Sequence, residues 1–256
     1  MASKAVLSQQ EKSTASAASG LSWGAVLTVT SGILMLAALY MALIWAPDAT
    51  NLTAPAERYA QRIFYFHVGS AWLGFLAFIV AAVASILYLV TRRDKWDIWA
   101  LSSVEIGLAF FTTVIISGSI WAKPTWNVWW TWDPRLTIST ICWLLYVGYL
   151  MLRGAIDNPD RQARFGAVYA LLAGFSVPLN WMAIRWWRTI HPAVIAPGNN
   201  ADESMGSFGM SANIQTTLLF CVIAFTVFYI TLMYHRINLE QLQRRVDTLK
   251  QRLLYR

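Results

Sequence analysis

Six stretches of this chain are too apolar and too long for a water-soluble fold: residues 21–45, 64–91, 98–120, 136–152, 165–184 and 214–234. About 20 apolar residues carry a helix across the hydrocarbon of a bilayer. No water is present there to satisfy backbone amides and carbonyls, so such stretches must be helical. Of the 256 residues, 57% are hydrophobic and only 13% charged. The sequence therefore predicts an all-α polytopic membrane protein with six transmembrane helices. A polar tail (1–20), a six-helix domain (21–234) and a basic tail (235–256) account for its whole length. The first apolar stretch exceeds a signal-peptide core and has no small-residue cleavage site before Pro47, so it is expected to be retained.

Six spans put both termini on one side, and the basic residues choose the side. With the N-terminus inside, the inner set is Lys4, Lys12, Arg92, Arg93, Lys95, Arg153, Arg161, Arg164, Arg236, Arg244, Arg245, Lys250, Arg252 and Arg256. The outer set is Arg58, Arg62, Lys123, Arg135, Arg185 and Arg188. The 20 basic residues thus split 14 to 6, which favours N-in and C-in. This placement explains the net charge of +7 by membrane orientation and removes the case for a nucleic-acid partner. It also turns segments 46–63, 121–135 and 185–213 outward, where the longer connections, and hence the functional groups, are expected.

The outward segment from Trp121 to Arg135 holds Trp121, Trp126, Trp129, Trp130 and Trp132, followed by Asp133 and Arg135. Tryptophan gathers at membrane interfaces, but an interfacial belt spreads over many helix ends. Five indoles in one loop suit a platform on which a large planar ligand stacks. Arg135 is placed either against a carboxylate of that ligand or against Asp133, to shape the loop.

The orientation also sorts the three histidines. His67 falls at the outer end of the second span and His191 in the third outward segment, whereas His235 falls at the inner end of the last span. Two imidazoles on the tryptophan side can supply both axial positions of a haem iron. Zinc lacks the further ligands it needs. Haem carries two propionates, and Arg58, Arg62, Arg185 and Arg188 are all candidate partners for them. Cys142 and Cys221 lie in apolar stretches with no C-x-x-C pattern, so no thiol-redox motif or covalent haem-attachment site is present. Glu105, inside the third span, reads either as a relay or helix-pairing contact, or as a residue near enough to the inner end to reach polar groups there.

In the tail, Leu239, Leu242, Val246, Leu249 and Leu253 recur at alternating three- and four-residue spacing with basic residues between them. Such an amphipathic helix either rests on the membrane lipid or docks a cytoplasmic partner.

These residues resemble the haem exporter protein C family, also called cytochrome c maturation protein C, of the haem-handling superfamily. Residues 121–137, ending Trp-Trp-Thr-Trp-Asp-Pro-Arg-Leu-Thr, are similar to its signature WWD segment. Arg62-Ile-Phe-Tyr-Phe-His67-Val, with Trp72 beyond it, resembles the segment with the first haem-ligating histidine, and Trp186-Trp187-Arg-Thr-Ile-His191 resembles the second. Ala122 and Asn127 stand where that family often has Gly, and Gly69-Ser70 where it has Pro-Ala. The resemblance implies a bacterial inner-membrane protein, not an enzyme, that binds haem b non-covalently at the periplasmic face. It implies His67 and His191 as axial ligands, and delivery to a periplasmic haem chaperone. Its implied partners are a small membrane subunit and an ABC transporter pair that supplies ATPase activity. Two other classes fit six spans: a membrane haem b electron carrier and a small-solute transporter. The first would place both histidines within the bilayer. The second would not explain the tryptophan loop, and the internal repeats common in transporters are not seen.

Overall fold

The computed structural model describes residues 22–49, 52, 54–192 and 211–254. The expected tail at 1–20, most of the third outward segment and the last two residues lie outside that set. Among the described residues the protein is all-helical, with six helices long and apolar enough to cross a membrane.

The first span, α1, runs Trp23–Tyr40 and continues as one π-helical turn, Met41–Trp45. The Ser22 hydroxyl caps it by accepting from the Ala25 amide at 3.2 Å. α2 (Pro55–Thr91) and α3 (Asp94–Trp126) follow, joined by a tight turn at Arg92, which adopts the left-handed conformation at φ 54°. α4 is Pro134–Gly154. The fifth span comprises α5 (Pro159–Gly174) and α6 (Ser176–Trp186). The break at Phe175 has a local cause. Pro178 has no amide hydrogen for the Gly174 carbonyl and its ring crowds that carbonyl. α7 (Ala212–Leu254) is a single helix of 43 residues.

Helices overrun the apolar stretches because polar residues at span ends remain good helix formers outside the hydrocarbon. α2 starts nine residues before the apolar run, so Arg58 and Arg62 sit on helix rather than loop. α3 carries Trp121 and Trp126 in its last turns, so only residues 127–133 of the tryptophan segment are non-helical. The expected division at residue 235 is not a break: α7 crosses it unbroken.

α2 is the central pillar. Its Phe75, Phe78 and Ala81 join Phe111 of α3, Cys142, Tyr146 and Tyr149 of α4, and Ala170, Ala173 and Val177 of the fifth span. Phe78 stacks on Tyr146 with centroids 3.6 Å apart. Phe64 and Tyr65 of α2 pack with α1 and the start of α7, and Leu73 and Ala77 with Phe225, Tyr229 and Met233 of α7. Both cysteines are buried and unpaired.

At the end of the bundle where α3 begins, charges tie the helices together. Arg153 of α4 donates to both oxygens of Asp97 at 2.5 and 3.1 Å, and both side chains are almost fully buried. Arg244 of α7 reaches the same carboxylate at 2.7 Å and Glu240 at 2.9 Å. Arg236 pairs with Glu105 at 2.5 Å and Glu240 at 3.1 Å. Glu105 is therefore a helix-pairing contact between α3 and α7.

Candidate functional site

The opposite end of the bundle brings the outward-assigned histidines together. His67 projects from α2 and His191 from the irregular segment after α6, with ring centroids 6.3 Å apart and planes inclined by 37°. His235 is elsewhere, at 2.9 Å from the Thr28 hydroxyl near the start of α1.

A hydrogen bond assigns the tautomer of His191. The Ser117 hydroxyl lies 3.0 Å from His67 Nδ1 and 3.3 Å from the Val114 carbonyl. His191 Nδ1 donates to the Pro192 carbonyl at 3.0 Å. His191 Nε2 therefore keeps its lone pair for a ligand. Burial is the main influence on His191, with the Arg135 charge and His67 adding to it, and holds its pKa well below the ordinary 6.5. The neutral, metal-binding form is the resting form. Gly118 makes room for His67: a Cβ built there would lie 3.0 Å from His67 Cε1.

Both histidines line a cavity of about 740 Å³. Trp121, Trp126 and Trp130 line it too, with Trp72 of α2 and Trp181 of α6. Trp129 and Trp132 are exposed and lie off the cavity. Trp132 instead backs Trp130 edge-on at 5.8 Å, as Trp126 meets Trp121 at 5.1 Å. The Trp130 indole N–H is buried and has no acceptor among the described residues.

Asp133 and Arg135 take different parts. Asp133 caps α4 by accepting from the Leu136 amide at 2.9 Å. Its other oxygen accepts from the Thr189 hydroxyl and, at 3.2 Å, from the Ile190 amide. Thr189 in turn accepts from the His191 amide at 3.1 Å. The end of the tryptophan segment thus holds the histidine segment in place. No Asp133–Arg135 ion pair forms among the described residues. Arg135 lines the cavity and donates to the Asn180 carbonyl at 3.1 Å.

The remaining arginines divide. Arg62 donates to the Ala42 and Ala46 carbonyls and pairs with Asp48 at 2.7 Å, and Arg58 donates to the Leu52 carbonyl. Both organise the connection after α1, and neither lines the cavity. Arg188 is exposed and also off the cavity. Arg185 lines it, with its guanidinium 5.7 Å from the Trp181 ring. Sequence reasoning missed Ser117, Gly118, Thr189 and Asn180. They act through hydrogen bonds or close approach to residues far away in the chain and carry no local signature.

Two imidazoles sharing one metal, each bonded at about 2 Å, place their centroids about 6 Å apart. Among the described residues no three His, Cys, Asp or Glu side chains cluster as a metal site, so the pair suits a metal that arrives with its own equatorial ligands. The aromatic cavity suits the flat apolar body of such a ligand. Arg135 and Arg185 suit acidic groups at its edge.

The family profile described as heme exporter protein C matches residues 6–252. A heme exporter protein C from Bradyrhizobium diazoefficiens is 34% identical over 90% of this chain and 82% of its own length. One from Rhodobacter capsulatus is 28% identical over 91% and 90%. One from Escherichia coli K12 is 31% identical over 60% and 64%.

Proposed function

Because the chain belongs to the heme exporter protein C family, whose members handle haem for cytochrome c maturation, we propose that it holds haem b non-covalently between His67 and His191 and passes it to a periplasmic haem chaperone. The protein is a multi-pass membrane component of haem transfer, and its family implies an ABC-type exporter complex. The finer assignment places it in the bacterial inner membrane with the histidine end periplasmic, following the 14-to-6 split of basic residues. A small membrane subunit and an ATP-hydrolysing transporter pair complete the proposed complex.

The observation that carries this reading is the 6.3 Å separation of two imidazoles in an aromatic cavity. In it, His67 and His191 hold the iron from opposite sides. Trp121, Trp126 and Trp130 cover the macrocycle, while Trp129 and Trp132 form the outer surface of the platform. Arg135 is the first propionate partner and Arg185 the second. The iron and porphyrin are the cargo; the chain positions them and excludes water. One axial ligand is built into a long packed helix. The other sits on a short non-helical segment whose Thr189 and Ile190 donate to Asp133, so movement of that segment would open the site. A haem b electron carrier would draw both ligands from facing helices, and here His191 comes from a non-helical segment.

The test is the absorption spectrum and haem content of protein purified from haem-replete cells lacking the chaperone. The parent and His235→Ala should carry low-spin haem. His67→Ala and His191→Ala should lose it or shift its bands. Equal haem in all four proteins, or none in the parent, refutes the site.

A further inference from the structure

The last four turns of α7 take no part in the histidine site and lie at the other end of α3. Glu240 and Arg244 turn toward the bundle and are held by the ion pairs to Asp97 and Arg236. On roughly the opposite face Leu239, Leu242, Val246, Leu249 and Leu253 are 40% to 77% exposed. They form a heptad seam with Leu239, Val246 and Leu253 at the a positions and Leu242 and Leu249 at the d positions. The flanking e and g positions are Gln243, Arg245, Lys250 and Arg252. Lys250 stands 3.9 Å from Asp247, an exposed pair that leaves its charge largely available.

Three covers are conceivable for this seam, and the structure discriminates among them. A membrane surface requires the helix to bend sharply where it leaves the bilayer. The 43 residues of α7 contain no Gly or Pro, the usual sources of a kink. A helix of that length spans about 65 Å, twice the hydrocarbon thickness. Arg236, Glu240 and Arg244 clamp it where a bend would fall, so the seam projects away from the lipid. A second copy of this chain, packed in parallel, sets Arg245 against Lys250; packed antiparallel, it sets arginine against arginine. Both arrangements repel. A helix with acidic flanks has neither problem.

We propose that the seam from Leu239 to Leu253 docks an amphipathic helix of a partner protein, with apolar a and d residues flanked by Glu or Asp at e and g, as a short coiled coil beside the membrane. The proposal is independent of the haem site. On the positive-inside assignment the partner is cytoplasmic.

The test uses the full chain in nanodiscs of zwitterionic lipid and two designed three-heptad peptides with Leu at a and d. One peptide has Glu and the other Lys at e and g, and fluorescence anisotropy reads binding. The acidic peptide should bind at least about tenfold tighter than the basic one. The combined variant Arg245→Glu, Lys250→Glu and Arg252→Glu should reverse that order, a gain that misfolding cannot mimic. Leu242→Asp with Leu249→Asp should abolish binding of both peptides while leaving the haem spectrum unchanged. A fluorophore at position 249, compared between these nanodiscs and matched ones containing anionic lipid, reports lipid contact, and sedimentation reports self-association. Failure of the acidic peptide to bind preferentially, burial of the fluorophore by anionic lipid alone, or self-association that Leu242→Asp removes would each overturn the proposal.

Discussion

The Asp133 carboxylate accepts the Ile190 amide at 3.2 Å, one residue before His191. One side chain thus joins the tryptophan segment to a proposed iron ligand that lies far along the chain. Asp133→Asn keeps a good helix cap but puts an amide NH₂ where an acceptor is needed. The expected result is a 10- to 100-fold loss of haem affinity, roughly the cost of removing a partner that orients a metal ligand. Helical content should not change. Haem titration with circular dichroism checks both parts.

Gly118 lets the His67 ring lie against α3, with only 3.0 Å between a built Cβ and His67 Cε1. Gly118→Ala should shift the haem bands slightly, and Gly118→Val should displace the ring and lower haem occupancy. Gly32→Ala is the control, since nothing lies within 4 Å of a Cβ there. Absorption spectra of the three variants report the order of effects.

Asp97 and Arg153 form a buried pair, 4% and 5% exposed. Removing Asp97 strands the buried Arg153 charge, at a cost of about 3–5 kcal/mol, whereas removing Arg153 leaves Asp97 still paired with Arg244. Asp97→Asn should therefore lower the thermal midpoint sharply and Arg153→Met less so, with the double variant costing less than the sum of the two. The haem spectrum of protein that survives should match the parent, because this pair sits at the other end of the bundle. A double-mutant cycle on thermal stability, with spectra alongside, measures the coupling.

The depressed pKa of His191 has a defined pH signature. The unfolded segment takes up a proton near 6.5, while the docked segment resists it. Docking is then independent of pH above about 6.5. Below that value it weakens, by up to about tenfold per pH unit, because the undocked state binds the extra proton. Hydrogen exchange of the Ile190 amide in haem-free protein, corrected for intrinsic rate, should show that break. A flat profile down to about pH 5 would contradict it.

The six spans were legible because a bilayer leaves the backbone no alternative to the helix, and a run of apolar residues is a local signal. Counting basic residues put His67 and His191 on one side and so allowed them to converge; that their rings lie 6.3 Å apart came from the fold. Span ends were less legible: Trp121 and Trp126 read as loop because apolarity stops before the helix does. The propionate candidates were too many, since nothing local marks Arg62 as held by Asp48 and by the carbonyls of Ala42 and Ala46. The roles of Asp133 and Asp97 depend on partners in distant helices, which a single sequence does not couple. The tail's periodicity was visible, but its continuity with the last span decided what it can touch.

His67 is inserted with the second span, whereas His191 follows the fifth, so three further helices must cross the bilayer before the two rings can meet. A nascent chain halted after the second span, or a fragment of it, offers one imidazole and no enclosing cavity.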